Sequence, residues 1–199
     1  MPLDLIAFIP FAAAMIGTPG PANIVLMAAG ARFGARRTLP LMCGVILGKQ
    51  FIIWPLGFGL IGLAASVPLA FAVLKYASVA YLILLAWRVA RLRINRDGGD
   101  TPPPGFFAGL VVHPMNPKAW AMTTTVLTNY VDPSEGAFAV TASVALGLLA
   151  VQCVLQPFYM LAGDRMARAV AGGVAEPWIM RGLAAAMVLS IIYVLVKGS

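Results

Sequence analysis

The chain has 199 residues, of which 61% are hydrophobic and 11% are charged, and its mean hydropathy is +0.90. This composition excludes a water-soluble globular domain. The net charge of +7 does not indicate a nucleic-acid partner, because the basic residues lie between apolar runs, where they set membrane orientation. Six apolar runs approach or exceed the roughly 18 residues that a spanning helix needs, so we predict an all-α membrane protein with six transmembrane helices.

Helix 1 is predicted from Leu3 to Ala29, and the sequence TPGPAN at residues 18–23 interrupts it. Pro19 and Pro21 have no N–H to donate, and each moves the residue before it out of helical geometry. We therefore expect one half-helix to end near Gly17 and a second to begin at Pro21, with its positive N-terminal end at the bilayer midplane. The alternative is a proline kink that serves packing alone.

Helices 2 and 3 are predicted from Leu39 to Leu63 and from Leu69 to Trp87, and each contains one lysine, Lys49 and Lys75 respectively. The segment 88–105 then contains four arginines, a Gly-Gly pair and three consecutive prolines. This composition predicts a linker, which divides the chain almost in half.

Helix 4 is predicted from Phe106 to Val131 and is broken at residues 113–118, which read HPMNPK. Asn116 is well placed to cap the half-helix that Pro117 begins. This half-helix would present a second positive N-terminus at the midplane. The last two helices are predicted at Gly136–Ala162 and Trp178–Val196, joined by a loop that contains Arg165 and Arg168.

The arginines are concentrated in the loops after helices 1, 3 and 5, while the loops after helices 2 and 4 contain none. The positive-inside rule then places these basic loops in the cytoplasm and both termini outside. Three helices per half invert the second half relative to the first, which is the architecture of an inverted repeat. We predict a first repeat at residues 1–87, a cytoplasmic linker at 88–105 and a second repeat at 106–199.

Three lysines fall near the predicted midplane. Counted at about 1.5 Å per residue from the cytoplasmic ends, Lys49, Lys75 and Lys118 lie about as deep as Pro21. Charges at this depth are expensive and are candidates for function, although each lysine could instead extend to an interface. Because the spans contain no acidic residue except Asp4 at the edge, the predicted site suits an anionic group such as a carboxylate.

The only histidine, His113, is the one midspan side chain with an unperturbed pKa near neutral, so it is a candidate for proton handling or, equally, for packing. Candidates for accessory hydrogen bonds or helix–helix contacts are Lys75, Tyr81, Gln152 and Gln156. The candidate substrate-binding residues are Thr18, Pro19, Gly20, Pro21, Asn23, Lys49, Asn116, Pro117 and Lys118. We expect no metal site, no cofactor and no enzymatic activity.

Two motifs resemble the hallmarks of the LysE-type amino-acid exporter family, namely TPGP at residues 18–21 and NPKAW at residues 116–120. Weaker similarities are GVILG at 44–48, AYL at 80–82 and GDR at 163–165. The resemblance covers nearly the whole chain. It implies a multi-pass carrier of the bacterial inner membrane that exports amino acids, with a proton as the expected coupling ion and a homodimer as a further expectation. One departure is Lys49, because the family pattern often has an acidic residue there.

Our main hypothesis is a secondary transporter that exports neutral or acidic amino acids, or related carboxylates, rather than lysine or arginine. Midplane lysines would repel a substrate of net positive charge by a few kcal/mol within about 6 Å at low effective dielectric. The alternative is a membrane thiol–disulfide electron carrier, which requires Cys43 and Cys153 to meet. Both cysteines lie in apolar runs, and we expect them to be buried and inert.

Overall fold

The computed structural model describes residues 2–59, 68–94, 102–132 and 134–197. Nearly all of these residues are helical, which confirms the predicted all-α membrane protein. Within the described residues the helices are α1 (Leu5–Gly17), α2 (Pro21–Phe33), α3 (Ala35–Gly48), α4 (Gln50–Gly57), α5 (Pro68–Ala90), α6 (Phe106–Leu110), α7 (Pro117–Asn129), α8 (Ala137–Val170) and α9 (Glu176–Lys197).

These helices form six segments in the predicted order, which are α1 with α2, α3 with α4, α5, α6 with α7, α8 and α9. Ala35–Gly57, Ala72–Ala90 and Ala137–Val170 are each long and apolar enough to cross a membrane, and α1 and α2 qualify as a pair bent by 52°. The last segment, α9, has 22 residues and is about 33 Å long, which matches a hydrocarbon core of about 30 Å.

Two predicted boundaries were wrong. The fifth segment does not end at Ala162, because α8 continues to Val170 and the basic residues placed in a loop are helical. An ion pair between Asp164 and Arg168, at 2.8 Å and one helical turn apart, supports this extension. The second segment does not begin at Leu39, because α3 starts at Ala35; Lys49, between α3 and α4, keeps helical dihedral angles, so Ala35–Gly57 is one continuous stretch as predicted. The predicted end of this segment and residues 95–101 of the linker lie outside the described residues.

The contacts between segments follow a symmetric pattern. If segments 1, 2 and 3 are matched with segments 4, 5 and 6, each main contact has a counterpart in the other half of the chain. Segment 1 packs on segment 5 and segment 2 on segment 4, while segment 3 packs on segment 6. The weaker contacts follow the same pattern. Segment 1 contacts segment 2 as segment 4 contacts segment 5, and segment 1 contacts segment 6 as segment 4 contacts segment 3. Segments 1 and 3 are in contact, as are segments 4 and 6. Two structurally related halves would give contacts that are symmetric in this way, and the inverted repeat stays a prediction.

Glycines let α2 and α8 approach at backbone distance. A Cβ on Gly30 would overlap the carbonyl oxygen of Met160, and a Cβ on Gly163 would overlap that of Met27. Small residues at such crossings allow close helix packing in membranes, where apolar surface alone gives little driving force between helices. The close crossing brings the middle of α8 to the break between α1 and α2.

The ends of the segments alternate between two sides of the molecule. The arginine side carries the basic ends at residues 32–37, 88–93 and 165–168. Glu176 joins two of its loops, because its carboxylate accepts from the Ile94 N–H at 2.8 Å and from the Gly172 N–H at 2.7 Å.

On the opposite side, the start of segment 1 pairs with the end of segment 4. The Asp4 N–H donates to the Tyr130 carbonyl at 2.9 Å, and Leu3 forms an isolated bridge with Val131. The start of α1 and the end of α7 therefore share a side, as an up-and-down arrangement of the segments predicts.

Candidate functional site

The first helix break lies at Thr18–Gly20, as predicted. Thr18 and Gly20 have extended backbones, with φ/ψ of −72°/131° and −148°/177°, and α2 restarts with Pro21 as its first residue. Gly20 is the N-cap and has no side chain with which to cap the first N–H groups of α2. The first N–H groups of α2, which form its positive end, therefore have no side-chain cap.

The carbonyl groups at the end of α1 are paired with side chains from elsewhere in the fold. The Asn23 amide donates to the Ile16 carbonyl at 2.6 Å and to the Thr18 carbonyl at 3.3 Å. The Tyr159 hydroxyl, from α8, donates to the Gly17 carbonyl. Broken backbone at membrane depth must be satisfied in this way, because no bulk water is available there.

Lys118 connects the two breaks. It stands in the first turn of α7, and its Nζ donates to the Thr18 carbonyl at 3.3 Å. Its side chain lies against Gly20, where a Cβ would be 3.3 Å from the Lys118 Nζ and 3.4 Å from its Cδ. The ammonium group thus sits at the open N-terminus of α2.

The second break is longer, and hydrogen bonds between residues close to it in sequence stabilise its backbone. It extends from Val111 to Asn116, so it begins two residues earlier than predicted, and α7 restarts at Pro117. The Asn116 side chain accepts from the Lys118 N–H at 3.1 Å, which confirms the predicted cap. The Trp120 indole donates to the Pro114 carbonyl at 2.9 Å and fixes the preceding turn.

A narrow cavity lies between the two breaks, with a volume of about 30 Å³ where one buried water needs about 10–15 Å³. The space accommodates about two waters. Its polar lining residues are Thr18, Asn23, Lys49, His113, Asn116, Lys118, Gln152 and Gln156, and the others are Met15, Ile16, Gly20, Ala22, Ala119 and Met122. None of these lining residues is acidic.

Lys49 lies in the cavity wall at the junction of α3 and α4. Its side chain is only 1% exposed, and its Nζ donates to the Met122 sulfur at 3.2 Å. A thioether is a weak acceptor and carries no charge, so it offsets little of the desolvation cost of a buried ammonium group. The amino groups of Lys49 and Lys118 and the open N-terminus of α2 therefore converge on the cavity.

His113 contacts both glutamines of α8. Its Nε2 is 3.1 Å from the Gln152 Nε2 and 3.3 Å from the Gln156 Nε2, and all three side chains are buried. Among the residues that the structure describes, none forms a hydrogen bond with the His113 Nδ1 or with either glutamine Oε1 atom. Unpaired buried polar atoms are rare in folded proteins and call for a specific explanation.

Five of the predicted residues line no part of this cavity. Lys75 lies on the exposed face of α5, and Pro19 is exposed at the first break. Tyr81 lines a separate cavity on the arginine side, beside Arg32 and Arg88. Pro21 and Pro117 act through the backbone, because each begins a half-helix whose next residues reach the cavity.

Sequence reasoning missed six residues of the site, which are the lining residues Met15, Ile16, Ala22, Ala119 and Met122 and, at the first break, Tyr159. Met122 lies one turn after Lys118 on α7, a spacing that places both on the same face and could have indicated it. Met15 also lines the cavity, and Tyr159 completes the first break from a distant helix. Nothing in the local sequence indicates the role of Tyr159.

The two cysteines do not form a disulfide. Cys43 on α3 and Cys153 on α8 are free thiols on the exposed surfaces of their helices, so the prediction that they are buried was wrong. Neither lines the cavity. Within the described ranges, no three His, Cys, Asp or Glu side chains gather as a metal site would require.

Comparison with known families decides what kind of membrane protein carries this site. The LysE type translocator model matches residues 13–198, which is nearly the whole chain. The chain belongs to this family. The resemblance seen in the TPGP and NPKAW motifs is thereby confirmed, and the protein is a multi-pass membrane translocator rather than a thiol–disulfide carrier.

Curated relatives of this LysE type translocator are annotated by their activity. The chain is 28% identical to a cysteine/O-acetylserine efflux protein of Escherichia coli O1:K1 over 167 residues, which cover 84% of this chain and 86% of the relative. It is 27% identical over the same length to a protein of that description from Shigella flexneri. No solved structure matches the chain.

Proposed function

We propose that this translocator is a secondary transporter that exports amino acids across the bacterial inner membrane and binds their carboxylate between the two helix breaks. The observation that carries the proposal is the pair of lysines, Lys49 and Lys118, in a cavity whose lining, among the described residues, includes no acidic side chain. A carboxylate there gains charge-assisted hydrogen bonds and the positive end of α2. Discontinuous helices in other transporters bind substrate carboxylates in this way.

The substrates that fit are amino acids with neutral or acidic side chains. Cysteine and O-acetylserine, the compounds named for the relatives, both have uncharged side chains. A lysine or arginine substrate would add a second positive charge beside Lys49 and Lys118 at low effective dielectric, which costs a few kcal/mol. We therefore use cysteine and lysine as the test pair.

Uptake by everted membrane vesicles tests this function. We expect Lys49→Met and Lys118→Met to lower cysteine transport more than tenfold at normal membrane levels, because each change removes one carboxylate partner. Lys75→Met is the matched control, since Lys75 lies on the exposed face of α5, and it should transport at the wild-type rate. Robust lysine transport with cysteine ignored, or wild-type rates in both cavity variants, would contradict the proposal.

The coupling ion in this proposal is a proton, and His113 is the residue that handles it. His113 is buried in the cavity lining and is the one histidine of the chain. We expect His113→Gln to abolish the acceleration of cysteine uptake by an imposed pH gradient while leaving equilibrium exchange of labelled cysteine measurable. An unchanged response to the gradient would exclude His113 from coupling.

The orientation in this proposal places the arginine side in the cytoplasm and both termini outside. In a variant without native cysteines, a cysteine at Ser134 should react with an impermeant maleimide in intact cells, because Ser134 is exposed on the opposite side. A cysteine at Arg36, exposed on the arginine side, should react only after the cells are opened. The reverse pattern would invert the topology and the direction of transport.

A further inference from the structure

Gln152 and Gln156 are unusual residues for the middle of a membrane helix. They lie one turn apart on α8, so they share a face, and both line the cavity with side chains that are 0% and 1% exposed. Each glutamine costs free energy in an apolar span unless its amide is fully hydrogen-bonded. Their presence side by side requires an explanation in terms of the cavity.

In each of the two glutamine amides, the NH₂ group has a partner and the carbonyl oxygen has none among the described residues. Both NH₂ groups approach the same atom, the His113 Nε2, which accepts when the imidazole carries its proton on Nδ1. Two acceptors without a partner among the described residues therefore belong to side chains of the cavity lining, which also includes Lys49 and Lys118.

A free cation does not satisfy these acceptors, because Lys49 and Lys118 line the same cavity and repel it. A group with several N–H donors does so if its positive charge is balanced within the same molecule. The α-ammonium group of an amino acid meets this condition, since its carboxylate can bind near Lys118 and the N-terminus of α2. A carboxylic acid without the amino group leaves both glutamine oxygens unpaired.

We infer that Gln152 and Gln156 form an ammonium subsite that selects zwitterionic α-amino acids over carboxylates that lack an amino group. This inference rests on the proposed export function and adds the part of the substrate that the lysines do not recognise. The apolar remainder of the lining, which includes Met15, Met122 and Ala119, faces the substrate side chain. Thioethers adapt to side chains of varied shape, so the class is that of small α-amino acids with uncharged side chains.

The test compares cysteine with 3-mercaptopropionate, which is cysteine without its amino group. Uptake of both compounds is measured under reducing conditions in everted vesicles that contain the full chain. The wild-type protein should transport cysteine at least tenfold faster than 3-mercaptopropionate. Gln152→Met combined with Gln156→Met should reduce this ratio about tenfold, because cysteine transport falls while 3-mercaptopropionate transport does not.

Gln50→Met is the matched control, because Gln50 lies outside the cavity lining and its amide pairs with Ala145 and Trp54. Its ratio should equal that of the wild-type protein. Gln156→Glu, which keeps an acceptor oxygen, should also keep the preference for cysteine. If the double variant is missing from the membrane, the two single methionine variants are judged by the same ratio.

The outcomes distinguish a failure of the ammonium subsite from a failure of the proposed export function. A wild-type preference that persists in the methionine variants would overturn the ammonium subsite while leaving the exporter intact. Wild-type vesicles that transport no cysteine above empty vesicles would instead overturn the proposed function. Equal wild-type transport of cysteine and 3-mercaptopropionate would overturn the subsite alone.

Discussion

Both helix breaks interrupt a segment and restart it at a proline, but different contacts stabilise them. At the second break, Asn116 caps α7 and Trp120 bonds to the Pro114 carbonyl, so the hydrogen bonds that hold the backbone come from within about six residues, while the His113 side chain reaches α8. At the first break, the carbonyl groups of α1 depend on Lys118 and Tyr159, which are 100 and 142 positions away in the sequence. The first break is thus a tertiary junction, and the second is a local turn.

This difference indicates which break responds to substrate. A carboxylate that attracts Lys118 removes its hydrogen bond from the Thr18 carbonyl, so binding and the geometry of the first break are linked through one ammonium group. We expect no such exchange of hydrogen bonds at the second break, because the Asn116 side chain already accepts from an N–H group in the first turn of α7. We expect substitutions at the first break to affect transport and substitutions at the second to affect stability.

The largest effect is expected from Gly20→Val at the first break. The extended backbone of Gly20 accepts any residue, but a valine side chain would displace Lys118 and cover the open N-terminus of α2. Cysteine uptake should fall more than tenfold at normal membrane levels. Gly136→Val is the matched control, because Gly136 is also a helix N-cap and a Cβ there meets nothing within 4 Å. Equal uptake by both variants would show that the end of α2 is not part of the site.

An intermediate effect is expected from Tyr159→Phe. The change leaves the Gly17 carbonyl without its donor, which should cost about 1–3 kcal/mol of stability and lower transport several-fold. Thermal unfolding in detergent and vesicle uptake measure the two effects together. Tyr76→Phe, at a site that is 72% exposed, should change neither. A wild-type melting temperature for Tyr159→Phe would mean that the first break does not need this distant donor.

The smallest effect on transport is expected from Asn116→Ala at the second break. Loss of the cap should cost about 1 kcal/mol of stability, and Asn116→Ser should restore most of it because serine is also a good N-cap. Transport should fall less than threefold. If Asn116→Ala stopped transport while Gly20→Val left it intact, the assignment of the two breaks would have to be reversed.

The sequence was sufficient where local rules apply. Proline geometry predicted the restarts at Pro21 and Pro117, and N-cap chemistry predicted the role of Asn116. The contacts of Tyr159 could not be predicted, because they depend on how α8 crosses α2 at Gly30.

Lys75 shows a second limit of prediction. Counting residues gives the depth of a side chain along a helix, and by depth alone Lys49 and Lys75 were equivalent. A helix that is apolar all round carries little information about which face turns inward. The structure turns Lys49 into the cavity and leaves Lys75 on the exposed face of α5.

The length of α8 has a consequence for the surrounding lipid. Its 34 residues extend about 51 Å, while the hydrocarbon core of a bilayer is about 30 Å thick. Even the uncharged part before Asp164 exceeds that thickness, so the helix tilts or the bilayer thickens around it, and the mismatch depends on the length of the acyl chains. Because α8 carries Gln152, Gln156 and Tyr159, any such tilt is transmitted to the cavity. Transport should therefore vary with the chain length of the lipids in which the protein is reconstituted.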